Sequence, residues 1–281
     1  MQPTSGQIAE AAYYRWERRA FAHGRHEHDW FAAEQELAFA AQYEIIARYR
    51  LDGIAPHHLG DVRRPRCRFC ERTAPRAAFA GPRLAAPAAL GNAAILSHEV
   101  CDDCHAQHEE SVGADLEAFA RAALRAGDAP ARPFAPIAAL KGLTWAALML
   151  LPPGEMEYFE DAVEWVSNPD HNLDSRSIAG AECVLHRLPE PGAFSWAGLA
   201  RRLDDDAALP YVVAFFATGA AVFQVALPLS SRDEELEGPC AVPRVAWPFG
   251  GGRSPLDAHH VVIPLAAAAA TRAARLSPFG A

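Results

Sequence analysis

The sequence predicts an α+β protein in three parts: a helical hairpin over residues 1–50, a cysteine-rich module over 66–130, and a mixed helix-and-strand region over 143–281, with 51–65 as a linker. Three observations carry this reading. Apolar residues recur at helical spacing through the first fifty positions. Two CxxC pairs, "CRFC" (67–70) and "CDDCH" (101–105), flank a bland stretch, "RLAAPAALGN" (83–92). Beyond residue 180, short runs rich in Val and Phe are separated by turn residues.

In the first part, Thr4 and Gln7 have capping-box spacing before a helix over 5–22, and Ile8, Ala12, Trp16 and Ala20 mark its buried face. "HGRHEH" breaks the pattern at Gly24. Asp29 is then the expected N-cap of a second helix running to Arg50, with Trp16 packed on Trp30. His23, His26 and His28 read as an exposed polar turn, because no further ligands converge on them. "LDGIAPHHLGDVRRP" (51–65) has Gly, Pro and paired His without periodicity, hence the linker.

In the third part, "ARPFAPIAALKG" (131–142) reads as a Pro-marked connector and "GEMEYFEDAVEWVS" (154–167) as an amphipathic helix. "AECVLHRLP", "RVAWPF" and "HHVVIPL" are strand candidates, and "LAAAAATRAARL" (265–276) is an Ala-rich closing helix. "YVVAFFATGAAVFQVALPL" (211–229) is 19 residues without a charge, near spanning length. Its Val and Phe content and the central "ATGA" favour a buried hairpin over a membrane helix, and no membrane partner is expected.

Composition narrows the class. The chain of 281 residues is 51% hydrophobic and 22% charged, ordinary for a globular protein. Six cysteines are too few for a secreted disulfide scaffold, and "MQPTSGQIAEAAYYRW" has no signal pattern, so a reducing, cytoplasmic setting is expected. The net charge of −9 is uneven: Arg63, Arg64, Arg66, Arg68, Arg72, Arg76 and Arg83 stand against Glu71 alone, a local +6 that leaves −15 for the rest. This cluster is the candidate face for DNA or RNA; the alternative is an Arg-rich surface turned towards acidic helices of the same chain.

The cysteines carry the sharpest signal. A CxxC turn presents two thiolates to one ion, and two such turns complete a tetrahedral shell, so Cys67, Cys70, Cys101 and Cys104 are the expected ligands of a structural zinc. A redox dithiol or two disulfides fit less well, because no thioredoxin-like βαβ pattern surrounds them. Cys183 and Cys240 lack partner spacing and read as ordinary buried thiols.

Two resemblances add to this. "IAEAAYYRWERRAFAHGRHEHDWFAAEQEL" resembles a short bacterial domain of unknown function, number 2934, over residues 7–37, and the resemblance brings no activity with it. The cysteine segment resembles a bacterial HNH endonuclease family, in which a knuckle of two CxxC turns braces a ββα-metal nuclease core. That family's pattern is C-x-x-C, a Phe, then a His, two apolar residues and Pro-Glu, completed by LGN and S..ECDxCN. This chain offers "CRFC", Phe79, Pro87, "LGN" (90–92), Ser97, Glu99 and "CDDCH", and the resemblance extends more weakly to about residue 230.

The resemblance implies a His as general base, a divalent ion (magnesium or manganese) on the phosphate, and an Asn that fixes the loop. Asn92 falls at the loop position and His105 at the ion-holding position. Leu84 stands at the base position and Ala88 replaces the Glu. Leucine accepts no proton, so the expectation is a zinc-binding, non-catalytic module that binds nucleic acid or a protein partner. Two alternatives stay open: an active endonuclease with a relocated base, candidates being His98 and His105 beside Asn92, and a zinc-stabilised scaffold for a partner protein or a second copy. His108, four residues past Cys104, has the spacing to share a helix with it and replace a cysteine in the zinc shell, but the preferred reading of His98 and His108 is as exposed polar residues.

Overall fold

The structure, a computed structural model, describes residues 3–124, 133–170, 181–188, 195–204, 208–236, 242–249 and 258–265. Helix α1 (Ser5–Arg18) opens with the expected capping box: the Gln7 N–H donates to Thr4 Oγ1 at 3.3 Å and the Thr4 N–H to Gln7 Oε1 at 2.9 Å. It ends four residues early, since Ala20 and Phe21 take left-handed φ values of 52° and 61°. Its inward face is Ile8 and Arg15; Ala12 and Trp16 are half-buried and Ala20 is exposed. Arg15 pairs with Glu36 of α2 (His26–Gln42). Helix α2 starts ahead of the expected cap. Asp29 is instead buried in its first turn, where it binds Arg19 and clamps the hairpin. Trp16 packs edge-on against Phe21 (4.9 Å) and Tyr13 (5.8 Å), not against Trp30.

The second helix was expected to reach Arg50, but it stops at Gln42 and Tyr43–Arg50 is strand β1. No Gly or Pro marks the change. The strand-favouring Tyr and Ile side chains and a distant pairing partner decide it. The segment expected as linker then contributes β2 (His57–Leu59), which lies parallel to β4 (Ile95–Ser97); β3 (Arg83–Leu84) flanks β4 on the other side, antiparallel. The chain leaves β4 through the second CxxC into α3 (Asp102–His108), a π-helical turn (Glu109–Gly113) and α4 (Ala114–Leu124).

Helix α5 (Pro136–Leu150) occupies part of the expected connector and is buried on every side from Ala138 to Leu150. Pro136 sits in its first turn, where the missing N–H costs nothing. The expected helix over 154–167 is 3₁₀ from Pro153 to Phe159 and α-helical only as α6 (Glu160–Ser167).

Five further strands, β5 (Glu182–Arg187), β6 (Trp196–Arg202), β7 (Val212–Ala217), β8 (Ala221–Ala226) and β9 (His259–Pro264), join β1 in an antiparallel sheet of order β1-β6-β7-β8-β5-β9. Tyr43 pairs with Arg202 and Arg50 with Trp196, so the N-terminal segment closes one edge of the C-terminal sheet. The uncharged 211–229 run is the β7–β8 hairpin, turned at Gly219 with φ 76°. Phe216 and Phe223 join the core that contains α5, while Val213 and Phe215 meet Phe39 and Tyr43 on the opposite face. Burial on both faces explains the absence of alternation in that run. "RVAWPF" forms no strand; its Trp247 and Phe249 pack on Trp196. The expected closing helix lies outside the described residues beyond Leu265. No helix among the described residues is long and apolar enough to cross a membrane.

Candidate metal centre and adjoining cleft

Cys67 and Cys70 lie on the turn after β2, and Cys101 caps the N-terminus of α3 with Cys104 one turn in. The four Sγ atoms lie within 4.8 Å of one another, and Cys70 Sγ to Cys101 Sγ is 3.7 Å. A tetrahedral zinc with Zn–S near ~2.3 Å separates its sulfurs by about 3.8 Å. The residues present therefore fit zinc. Cys67 and Cys101 are fully buried, and Cys70 and Cys104 half-buried.

The site is built for thiolate. A hydrogen bond from the Cys104 thiol, helped by backbone N–H groups at Phe69, Cys70 and Cys101, holds the Cys67 thiol down to about 4 against the opposing effect of burial. Cys104 is pushed up by that same hydrogen bond and by burial, and Cys101 by burial. Arg72 Nε donates to Cys70 Sγ at 3.2 Å and its Nη2 reaches Asp103 at 3.3 Å, placing a cation beside the sulfur shell. Glu71 closes the first turn with φ 58°.

The knuckle is fastened to the core by Arg68. Its guanidinium reaches Glu99 at 2.6 Å and the Leu151 carbonyl at 2.7 Å, and it also binds the Leu148 carbonyl, so it caps the C-terminal end of α5. Its side chain is only 7% exposed and has no face to offer a phosphate. Arg83 is held by Asp102 at 2.8 Å, and Arg66 faces Glu71 at 3.2 Å. Arg63, Arg64 and Arg76 are exposed without an ion-pair partner among the described residues. The Arg cluster thus divides into four residues engaged by acids of the same chain and three open to solvent.

Between the two CxxC turns runs β3, a loop, and β4. The loop is shaped by "LGN". A 3₁₀ turn (Ala88–Leu90) ends at Gly91, whose φ of 84° suits glycine; a Cβ there would stand 2.8 Å from Ser195 Oγ. Asn92 is buried and uses its whole amide on the backbone. Its Nδ2 donates to Ala86 O (2.8 Å) and Ile95 O (3.0 Å), and its Oδ1 accepts from Ala94 N (3.2 Å) and Ile95 N (2.9 Å). No donor or acceptor of Asn92 is left for a substrate.

Beside this loop opens a cleft of about 480 Å³ lined by Leu84, Pro87, Ala88, His105, His108 and Glu109, with Glu117 and Trp145. Leu84 and Ala88 therefore share a cavity with His105. Burial and the nearby Arg83 guanidinium hold the His105 imidazole below its usual range. His98 does not line this cleft; its Nε2 lies 2.9 Å from His58 Nδ1, with the rings stacked. His108 is outside the sulfur cluster, and it is buried, not the exposed polar residue expected. It stacks on Trp145 (4.2 Å), whose other contact is Phe69 of the first CxxC turn (3.5 Å), and burial pushes it down to about 3. Cys183 is a buried thiol on β5, as expected of an ordinary core thiol, and Cys240 lies outside the described residues.

Glu109, Glu117 and Trp145 are cleft residues that sequence reasoning missed. His105 on α3 and Glu109 at the start of the π-helical turn stand four apart, a spacing that was available; Trp145 arrives from α5, which no local pattern announced. Residues 3–38 match a family model described as "Protein of unknown function (DUF2934)". No curated protein and no solved structure matches the chain.

Proposed function

We propose that this protein is a zinc-stabilised binding module built on an HNH-like ββα scaffold that has lost hydrolysis, and that its partner is a nucleic acid contacted through Arg63, Arg64 and Arg76. The observation that carries the non-catalytic reading is the pairing of Leu84 with His105 across one cleft. The position that the family resemblance gives to a proton acceptor is aliphatic, and it lines the same cavity as the position given to the metal-holding side chain. Two carboxylates, Glu109 and Glu117, line the same cavity against one guanidinium, Arg83, which Asp102 already holds, so the cavity's charge does not favour a phosphate. Asn92 keeps the role of shaping the loop. His98, the relocated-base candidate, is directed to His58 and not to this cleft.

The nucleic-acid part rests on the three unpaired arginines next to the knuckle. Zinc loading, DNA cleavage and DNA binding are measured on one preparation. Zinc-loaded protein with magnesium or manganese leaves plasmid DNA intact. It retards DNA or RNA in a salt-sensitive gel shift that Arg63→Ala/Arg64→Ala/Arg76→Ala abolishes. Cleavage that disappears in His105→Ala or His98→Ala establishes the active-nuclease alternative. Absence of any shift at low salt removes nucleic acid as the partner and leaves the protein-scaffold alternative.

A further inference from the structure

The N-terminal hairpin carries a surface that the zinc module does not use. Among the described residues, five of the nine exposed large apolar side chains lie between residues 13 and 31: Tyr13 (50% exposed), Tyr14, Phe21, Trp30 (40%) and Phe31 (50%). Such a concentration on a single hairpin is unusual for a face left to water. Tyr13, Trp16, Trp30 and Phe31 line one open groove of about 690 Å³ between α1 and α2, in which Ala9, Ala12 and Gly24 leave space.

The groove is preorganised. The capping box fixes the start of α1, and the ion pairs Arg15–Glu36 and Arg19–Asp29 lock the two helices beneath the aromatic side. Trp16 is wedged between Tyr13 and Phe21, whereas Trp30 and Phe31 make no ring contact among the described residues. The groove's permanent charge has one sign: Glu27 and Asp29 contribute carboxylates and no Lys or Arg contributes, while His23 and His26 complete the polar lining. Asp29 is neutralised by Arg19, but Glu27 has no ion-pair partner among the described residues. Several aromatic faces around one unpaired carboxylate match a weakly hydrated organic cation, which gains from the ring quadrupoles and loses little on leaving water.

We infer that the α1–α2 groove is a binding site for an organic cation, a quaternary ammonium or a guanidinium group, held against Trp30, Trp16 and Tyr13 with Glu27 as counter-charge. This site is independent of the zinc module and gives the segment that matches the family of unknown function a chemical role.

The test uses the full zinc-loaded chain labelled with ¹⁵N. The six tryptophans give six indole N–H signals, and Trp16→Phe and Trp30→Phe assign two of them. Choline and N-acetyl-arginine amide are titrated separately, with 3,3-dimethylbutan-1-ol as the uncharged isostere of choline. Saturable millimolar shifts confined to the Trp16 and Trp30 signals, given by at least one cation and not by the alcohol, support the site; the responding cation names the class. Trp30→Ala and Glu27→Gln, both at exposed positions, weaken binding about three- to tenfold with the other indole signals unmoved. Equal shifts with the neutral isostere, no saturable shift with either cation, or unchanged affinity in both variants overturns it.

Discussion

Asn92→Ala tests whether the loop beside the cleft is kept for shape. In the native protein its amide meets four backbone groups at 2.8 to 3.2 Å. Two of these have second partners: the Ala94 N–H also reaches Leu51 O at 2.9 Å, and Ile95 O also accepts from Ala85 N at 3.0 Å. The Ala86 carbonyl and the Ile95 N–H are the groups that truncation strands. Each buried polar group left alone costs about 1–3 kcal/mol, and water entering from the cleft relieves part of it, so the expected loss is about 3 kcal/mol. For a chain of this size that lowers Tm by about 6–12 °C. Asn92→Asp removes both donors, points acceptors at two carbonyls, and is at least as damaging at pH 7. Differential scanning calorimetry of zinc-saturated protein measures both. A Tm change below about 2 °C for Asn92→Ala refutes the shape-keeping role and frees Asn92 for chemistry.

Arg68→Met removes the clamp between the knuckle and the end of α5 and leaves Glu99 unpaired, an expected loss of about 3 kcal/mol in urea unfolding, whereas Arg64→Met stays within about 0.5 kcal/mol. Glu71→Gly relieves a left-handed backbone at the first CxxC turn, at the expense of an exposed Arg66 pair that contributes little; a gain of about 0.5–1 kcal/mol in the urea midpoint is expected. Burial holds His186 down to about 4. Its folded value is depressed, so the unfolded chain binds the extra proton, and the stability present above pH ~6.5 is lost as pH falls towards about 4. Between pH 7 and 5.5 this amounts to about 1 kcal/mol, and His186→Leu, in which Gln224 keeps the Pro243 carbonyl and the Val245 N–H, lacks that share of the acid dependence.

What was legible in the sequence was local chemistry. The CxxC spacing located all four sulfurs because a knuckle is defined within four residues. The Thr4–Gln7 cap and the β7–β8 turn are likewise decided by neighbours. What escaped depends on distant segments. The Tyr and Ile side chains of "YEIIARYR" lean towards strand, but the choice is made only where β6, some 150 positions later, supplies a ladder. Helix α5 has no polar face to set a period, so its Pro-marked start read as a connector. The cleft escaped in part for the same reason: Trp145 comes from that helix, and Arg68 looked like a surface charge until the end of α5 was placed against it. Leu84 and Ala88 were singled out by the family resemblance alone; the structure places them in one cavity with His105.

The most direct measurement is metal analysis of the purified chain together with its thiol count. One zinc per chain is expected, with Cys67, Cys70, Cys101 and Cys104 shielded from thiol reagent until a chelator removes the ion and the 66–124 segment loses its amide protection. A folded protein without zinc, or one whose four thiols react at once and whose structure ignores the chelator, contradicts the zinc-held scaffold on which the loop, the cleft and the functional reading depend.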